Sequence, residues 1–310
     1  MSLVTAPVIV AAKPAAPSTR RGPTLALLAS AALWGLLWWP LKGFGAAGLS
    51  GPVLSLLCYG ALGVCGIGLL WRERSAWRPQ TGLLLLLMAV GGWANTAFVQ
   101  ALVIGEVVRV MLLFYLAPVW SVLGGRFFLG ERVSRRRAFA VALALVGLWF
   151  VVGGDAAWSK PLGHADWLAL TGGLAFAGHN LVSRAAQAIP MRSKTVAVFL
   201  GCAMVSAVIA WLTGAVVPAI SAPLALALAG YAFIWLVLAT ATWQYGVTRI
   251  EAGRAGVIMT VELLVAVVSA VLLGDESLQP SEWAGGVLIA IAALIEAIDP
   301  NDSTHKEKAT

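Results

Sequence analysis

Long apolar stretches separated by short polar connections make up most of this chain. A helix needs about 20 mostly apolar residues to cross the hydrocarbon core of a bilayer, because lipid offers the backbone no hydrogen-bond partners. Ten stretches come close to this condition. They cover residues 24–44, 51–71, 81–103, 107–128, 137–152, 166–189, 195–212, 223–247, 253–273 and 282–298. The pattern therefore predicts an all-α membrane protein, a bundle of ten transmembrane helices.

One arrangement of charged and apolar positions occurs twice. In each copy an acidic and a basic residue precede an apolar run, and a second acidic residue follows it. The first copy has Glu106, Arg109 and Glu131, and the second has Glu251, Arg254 and Glu276 at the same offset. A duplicated unit of five spans, an odd number, crosses the membrane in opposite senses in its two copies. We therefore predict two inverted five-helix repeats, residues 23–155 and 156–299, between a flexible cytoplasmic tail at 1–22 and a second cytoplasmic tail at 300–310.

The basic residues indicate the orientation. If the N-terminus is cytoplasmic, only Lys42, Arg109 and Lys160, out of 21 Lys and Arg residues, fall on the opposite side. Cytoplasmic loops retain Lys and Arg, so both termini are predicted to be cytoplasmic in a multi-pass protein of the cell inner membrane. The connection at 132–137 is basic, whereas its counterpart at 275–282 is acidic. This reversal of charge is what an inverted repeat requires.

The composition excludes several classes of protein. Apolar residues make up 60% and charged residues 11% of the chain, and the mean hydropathy is +0.88, which is outside the range of soluble domains. The net charge of +7 comes from residues that interrupt apolar runs, so nucleic acid is not an expected partner. Cys58, Cys65 and Cys202 have no Cys-x-x-Cys spacing, so no disulfide framework or metal site is predicted. Without a phosphate-binding loop or a hydrolase motif, neither an enzyme nor a cofactor is expected.

Several short motifs resemble those of a known family. Leu-Ala-Pro-Val at 116–119, followed by Gly-Glu-Arg at 130–132, resembles the EamA branch of the drug/metabolite transporter superfamily. Other motifs are similar to the aromatic amino acid exporters of that branch. They are Tyr-Leu-Ala-Pro at 115–118, Ala-Leu-Val-Gly at 144–147, Val-Gly-Gly-Asp at 152–155 and Trp-Gln-Tyr-Gly at 243–246.

This resemblance implies ten helices in two inverted repeats and a central cavity lined by the first, third, fourth, sixth, eighth and ninth of them. It also implies export of amino acids or similar metabolites. In one respect the chain departs from the family: where the second repeat of many relatives has a proline, this chain has Leu263, preceded by Glu262. A symmetric hinge at two prolines is therefore not expected.

Polar and aromatic residues at mid-span are the candidate binding residues, because polar groups in lipid are costly unless they have a role. His179 and Asn180 share one helix face with Phe176. Similar stripes occur on the third and eighth helices. The candidate substrate-binding residues are Trp34, Trp38, Trp93, Gln100, Tyr115, Phe176, His179, Asn180, Trp243 and Gln244. Core packing of the rings, and a helix-to-helix hydrogen bond for the histidine, are the alternatives.

Two further residues are singled out by position. Glu262 lies near the middle of the ninth span, where a carboxyl group either is protonated and bonded to a neighbouring helix or takes part in proton coupling or binding of a substrate amine. Pro118 removes one helical hydrogen bond from the fourth span and predicts a kink there, with gating as a further hypothesis.

The sequence thus predicts a secondary transporter that exports aromatic and other largely uncharged amino acids and related metabolites by alternating access. Its expected partners are that small-molecule substrate and the lipid bilayer. A drug or nucleotide-sugar type carrier on the same scaffold is an alternative, as is a non-catalytic channel or membrane scaffold. The oligomeric state is left open, and a monomer is compatible with the sequence.

Overall fold

The computed structural model describes residues 21–128, 133–151, 162–250 and 252–297. These residues form helices and connections, with no strand among them. The helices are α1 (Arg21–Gly35), α2 (Trp38–Ala46), α3 (Gly51–Arg72), α4 (Arg74–Trp77), α5 (Thr81–Ile104), α6 (Val107–Phe114), α7 (Ala117–Phe128), α8 (Arg135–Val151), α9 (His164–Ala185), α10 (Met191–Leu212), α11 (Ala222–Gly230), α12 (Val237–Val247), α13 (Ala252–Leu273) and α14 (Pro280–Ala297). A 3₁₀ turn (Arg78–Gln80) joins α4 to α5, and a π-helical stretch (Tyr231–Leu236) joins α11 to α12.

In the described part of the chain these elements make ten helical segments, one for each predicted span. Six of the segments are long and apolar enough to cross a membrane: Arg21–Ala46, Gly51–Arg72, Arg74–Ile104, Val107–Gly124, Met191–Leu212 and Ala222–Val247. Shorter apolar helices lie at Ala138–Val151, Thr260–Leu273 and Pro280–Ile295. The remaining segment, α9, is 22 residues long but has Asp166, His179, Asn180 and Arg184 along it.

Some sequence expectations concern residues outside the described ranges. These are most of the two predicted tails (1–20 and 298–310), together with Glu131, Arg132, Glu251 and the motif at 152–155.

The fourth predicted span is interrupted between α6 and α7, at Tyr115 and Leu116. Pro118 has no backbone N–H, so the carbonyl of Phe114, four residues earlier, has no helical donor at that position. At the same carbonyl α9 makes a close approach: a Cβ added to Gly173 would lie 2.6 Å from the Phe114 oxygen. The break and the glycine together fix where Phe114 sits against α9.

Small residues allow other helices to pack closely. Helix α3 packs on α10, α5 packs on α9 and α10, α1 packs on α12 and α13, and α8 packs on α14. A Cβ on Gly92 of α5 would lie 2.5 Å from the backbone of Gly201 on α10, and one on Gly35 of α1 would lie 2.7 Å from the Glu262 carbonyl on α13. Lipid is as apolar as the side chains themselves, so close van der Waals packing holds such helices together.

Polar bonds hold together one end of the bundle. The Glu276 carboxylate accepts hydrogen bonds from the Val107 and Val108 N–H groups at the start of α6, at 2.6 and 3.0 Å. Beside it, the Arg109 guanidinium makes a two-pronged ion pair with Asp166 on α9, at 2.7 and 3.1 Å. The Lys42 ammonium donates to the Gly105 carbonyl. We call this end, where α6 and α9 begin, the sealed end.

Replacing Gly201 by alanine should destabilise the fold. A Cβ there would collide with the main chain of Met88, which cannot move aside as a flexible side chain could. Overpacking of this kind costs about 1–3 kcal/mol, so the midpoint of thermal unfolding in detergent should fall.

Gly68→Ala on α3 is the matched control, because a Cβ at Gly68 would meet no other atom within 4 Å. Alanine is the better helix former, so this variant should unfold at the wild-type temperature or slightly above it. Equal midpoints for the two variants would contradict the proposed role of the glycine contact.

Candidate substrate cavity

A cavity of about 180 Å³ lies among six helices near the middle of the bundle. We call it the inner chamber. Its lining comes from α1, α5, α6, α9, α12 and α13, which belong to the first, third, fourth, sixth, eighth and ninth predicted spans. The lining residues are Trp34, Ala94, Asn95, Phe98, Phe114, Phe176, His179, Asn180, Trp243 and Glu262.

One wall of the inner chamber is a row of aromatic rings. The Phe98 and Phe114 ring centres are 4.3 Å apart, and those of Phe114 and Phe176 are 5.5 Å apart. The row continues to the His179 imidazole, 6.4 Å from Phe176 and nearly parallel to it. Aromatic rings attract flat apolar groups by stacking and edge contacts, so this wall suits a ring-bearing ligand.

A carboxyl group lies in the same chamber. Glu262 of α13 lines the chamber and accepts a hydrogen bond from the Tyr115 hydroxyl. The close approach of α13 to Gly35 on α1 positions the backbone from which this side chain extends. A carboxyl group beside aromatic rings can pair with a cationic amine or exchange a proton.

Uncharged polar groups complete the chamber. The Asn95 amide donates to the Gly91 carbonyl at 2.9 Å, and its oxygen accepts from the Tyr59 hydroxyl at 3.4 Å. These two bonds orient the amide within α5. His179 Nδ1 is buried and has no hydrogen-bond partner among the described residues. A buried polar atom without a partner is costly, so a ligand or water that bonds to it would be stabilised.

The chamber continues into a wider space of about 540 Å³, which we call the vestibule. The vestibule shares Trp34, Ala94, Asn95, Phe176, His179, Asn180 and Trp243 with the chamber. It extends to the last turn of α9, the start of α10 and the end of α12, at the opposite end of the bundle from the sealed end. Its lining there includes Arg184 and Met191, which are exposed. The cavity therefore reaches the surface at the vestibule end.

The structure brings most of the predicted site residues together. Trp34, Phe176, His179, Asn180, Trp243 and Glu262 line the inner chamber. Gln244 lines the vestibule, where its amide donates to the Thr195 hydroxyl at 2.6 Å. Tyr115 is joined to the chamber by its bond to Glu262.

Other predicted residues lie elsewhere. Trp38 is buried in the core, where its indole N–H donates to the Ser269 hydroxyl at 2.9 Å. Gln100 lies against Gly51 at the start of α3, and Trp93 is half-buried and not part of the cavity lining. The side chain of Pro118 is not among those that the structure describes.

Sequence reasoning missed Asn95, Phe98, Phe114 and Lys194, all of which line the cavity. On the third span it selected Trp93 and Gln100. Thr96 lies on the same face of α5, and its hydroxyl bonds to Ser206 on α10 at 2.9 Å. The face toward the cavity, at Gly91, Ala94, Asn95 and Phe98, is on the opposite side of α5. An asparagine amide in the middle of an apolar span was the available signal.

The family model for EamA-like transporters matches residues 22–153 and 164–296. The chain belongs to the EamA-like transporter family. This EamA-family chain is 28% identical over 129 residues to a protein named riboflavin transporter from Rhizobium johnstonii, a match that covers 42% of this chain and 40% of that protein. The chain thus spans well under half the length of that relative.

A solved crystal structure has the same fold. It superposes with a TM-score of 0.57 at 21% identity, and the match covers 94% of this chain and 99% of the other. The EamA-like family is a family of transporters. The closer likeness to aromatic amino acid exporters stays a prediction.

A cysteine at Ser183, which lines the vestibule, should react with a membrane-impermeant maleimide. The Ser183→Cys variant would be made in a Cys65→Ala background, because Cys65 is the exposed native cysteine whereas Cys58 and Cys202 are buried. Labelling would be followed by mass shift on purified membranes.

Ser206→Cys is the control, since Ser206 is fully buried between α5 and α10. It should label at no more than the background rate. If both cysteines labelled alike, the vestibule would not be open to solvent at the surface as described above.

Proposed function

We propose that this chain is a secondary transporter that moves aromatic and other largely uncharged amino acids, and related metabolites, outward across the inner membrane by alternating access. One observation supports this above all: an acidic group, amide and imidazole groups, and a row of aromatic rings face a single chamber at mid-depth. Ligand sites of transporters lie at this depth, between the two halves of the protein.

Each part of an amino acid has a complement in that chamber. An aromatic side chain fits beside Phe114 and Phe176, whose rings are tilted against each other with their centres 5.5 Å apart. Its ammonium group would pair with Glu262. Asn180 and His179 offer hydrogen bonds to the rest of the head group.

Alternating access requires two halves that exchange roles, and the helix packing supports an inverted repeat. The contact of the first span with the ninth, at Gly35, has its counterpart in the contact of the sixth with the fourth, at Gly173. Likewise the third span packs on the sixth (α5 on α9), and its counterpart, the eighth span, packs on the first (α12 on α1). The family model also matches two stretches of similar length. If each helix is replaced by its counterpart in the other repeat, the pairs of helices in contact therefore stay nearly the same.

In the orientation proposed from the basic residues, with both termini cytoplasmic, the vestibule faces the cytoplasm and the sealed end faces outward. The structure would then correspond to a state ready to receive substrate from the cytoplasm. Opening outward would separate Glu276 from the start of α6.

A flavin or a similar flat polycyclic molecule is the second candidate substrate. The observation that favours it is the partial match to a protein named riboflavin transporter, taken together with the aromatic wall. An amino acid has a cationic amine that would pair with Glu262, whereas a flavin has none. Loss of the Glu262 carboxylate should therefore affect the two candidates differently.

Counterflow in proteoliposomes tests the proposal. Vesicles loaded with unlabelled L-phenylalanine should take up labelled L-phenylalanine saturably and stereoselectively, and riboflavin would be tested in the same way, each with and without a pH gradient. The Glu262→Gln variant should reduce amino acid counterflow by about tenfold, because a charge-assisted hydrogen bond is lost, and should flatten its pH dependence.

Glu282→Gln is the matched control, because Glu282 lies at the start of α14, outside the cavity lining, and bonds the Gln279 N–H. His179→Gln separates the contribution of the other titratable group at the chamber wall. Unchanged rate and pH dependence in Glu262→Gln would remove the role of Glu262. Linear, unsaturable flux in the wild type would indicate a channel instead, and no flux of any compound a scaffold.

The inverted repeat predicts that the loops after the fourth and ninth spans lie on different sides of the membrane. Cysteines introduced by Arg135→Cys and Ser277→Cys, both at exposed positions, would be labelled with an impermeant maleimide in intact cells and in inside-out vesicles. Arg135→Cys should label from the cytoplasmic side and Ser277→Cys from the other. Labelling of both from one side would contradict the inverted architecture.

A further inference from the structure

Lys194 is a buried cation at the wall of the vestibule. It lies in the first turn of α10, and only 7% of its surface is exposed. Its ammonium group donates one hydrogen bond, to the Ser183 carbonyl in the last turn of α9, at 2.7 Å. An ammonium group has three N–H donors, so this bond leaves two of them for other acceptors.

No carboxylate lies within ion-pair distance of this charge in the part of the chain that the structure describes, and the Glu73 carboxylate accepts a hydrogen bond from the neighbouring Ser193 hydroxyl instead. The ion pair found there joins Arg109 to Asp166, at the sealed end. The carboxyl group that lines the cavity, that of Glu262, is in the inner chamber and is bonded to Tyr115. A buried charge without a partner is strongly unfavourable, and in a membrane protein it indicates a functional group.

Two more polar side chains line the vestibule together with Lys194. Arg184 lines the same vestibule one residue after Ser183. His179, one turn before Ser183 on α9, also lines the vestibule, and its Nδ1 is buried without a hydrogen-bond partner among the described residues. The cavity is thus basic toward its mouth and acidic at its inner end.

We propose that Lys194 and Arg184 form an anion subsite at the mouth of the cavity, which binds the carboxylate of the transported molecule before its head group reaches Glu262, Asn180 and His179 in the inner chamber. This inference rests on the proposed transport function, and it adds that an acidic group is required of the substrate. Amines or neutral rings without an anionic group should be poor ligands. The positive mouth would also attract anions from solution before they enter.

The alternative role for Lys194 is purely structural. Cations near the end of a helix stabilise its last carbonyls, and the bond to Ser183 is a contact of this kind. A structural role would affect all ligands equally, whereas an anion subsite would affect only ligands that bear a negative charge. The two roles therefore predict different changes in selectivity.

The test compares 3-phenylpropionate with 3-phenylpropanamide, which share ring and chain length and differ in charge. Binding to purified protein in detergent would be measured by the ligand-dependent shift in unfolding temperature. We expect the carboxylate to bind more tightly to the wild type, and Lys194→Met to weaken its binding by about tenfold, the effect of one charge-assisted hydrogen bond. Binding of the amide should not change, and Lys194→Arg should retain most of the preference.

Arg249→Met is the matched control. Arg249 follows α12 at the same end of the protein, but its guanidinium lies over the Tyr245 ring, 4.2 Å from the ring centre, outside the vestibule. It should bind the carboxylate as the wild type does. If it lost affinity as much as Lys194→Met, general attraction by surface charge would replace the subsite.

Equal binding of carboxylate and amide by the wild type would overturn the subsite whatever the variants do, including a case in which Lys194→Met fails to fold. Phenyl phosphate is the third probe. If it binds selectively to the wild type and loses affinity in Lys194→Met, the anion subsite stands and binds a phosphate rather than a carboxylate.

Transport is measured separately, by counterflow in proteoliposomes. Selective binding without counterflow would contradict the proposed function alone, and counterflow without carboxylate selectivity would contradict the subsite alone.

Discussion

The close approach of helix backbones at glycine is the constraint on which the cavity depends. Gly35 allows α13 to lie against α1, and Gly173 allows α9 to lie against the broken end of α6. A side chain at either position would push apart the helices that hold Glu262 and Phe114. Since lipid provides no hydrophobic force between helices, loss of these contacts would not be offset by burial elsewhere.

Polar interactions are divided unequally between the two ends of the bundle. At the sealed end, carboxylates meet backbone N–H groups and a guanidinium, as in the bonds of Glu276 to α6 and of Asp166 to Arg109. At the vestibule end, cations such as Lys194 line open space. Contacts that are satisfied hold helices together, whereas unsatisfied ones are available to a ligand. Leaving a buried polar group without a hydrogen bond costs free energy. The sealed end avoids this cost by internal bonds, whereas at the vestibule end a ligand can supply the missing bonds.

The chamber itself combines groups that rarely occur together in a bilayer. Aromatic rings, an amide, an imidazole and a carboxyl group face one another across a small space, and the Tyr115 hydroxyl bonds the carboxyl group. Two of the polar groups are held by hydrogen bonds within the protein: Asn95 by Gly91 and Tyr59, and Glu262 by the Tyr115 hydroxyl. Such preorganisation lowers the cost of ordering a ligand site during each transport cycle.

The sequence by itself determined the class of protein, the ten helical segments and their approximate ends, and it singled out Glu262, His179 and Asn180. These follow from the cost of placing polar or apolar groups in lipid, which is set residue by residue. Only the tertiary structure decided which face of each helix meets the cavity: Trp34 lines it while Trp38 bonds Ser269 in the core, and Asn95 replaces the predicted Trp93 and Gln100. The rotation of a helix about its axis depends on the partners packed against it, and in a span apolar on all sides the periodicity leaves that rotation undetermined.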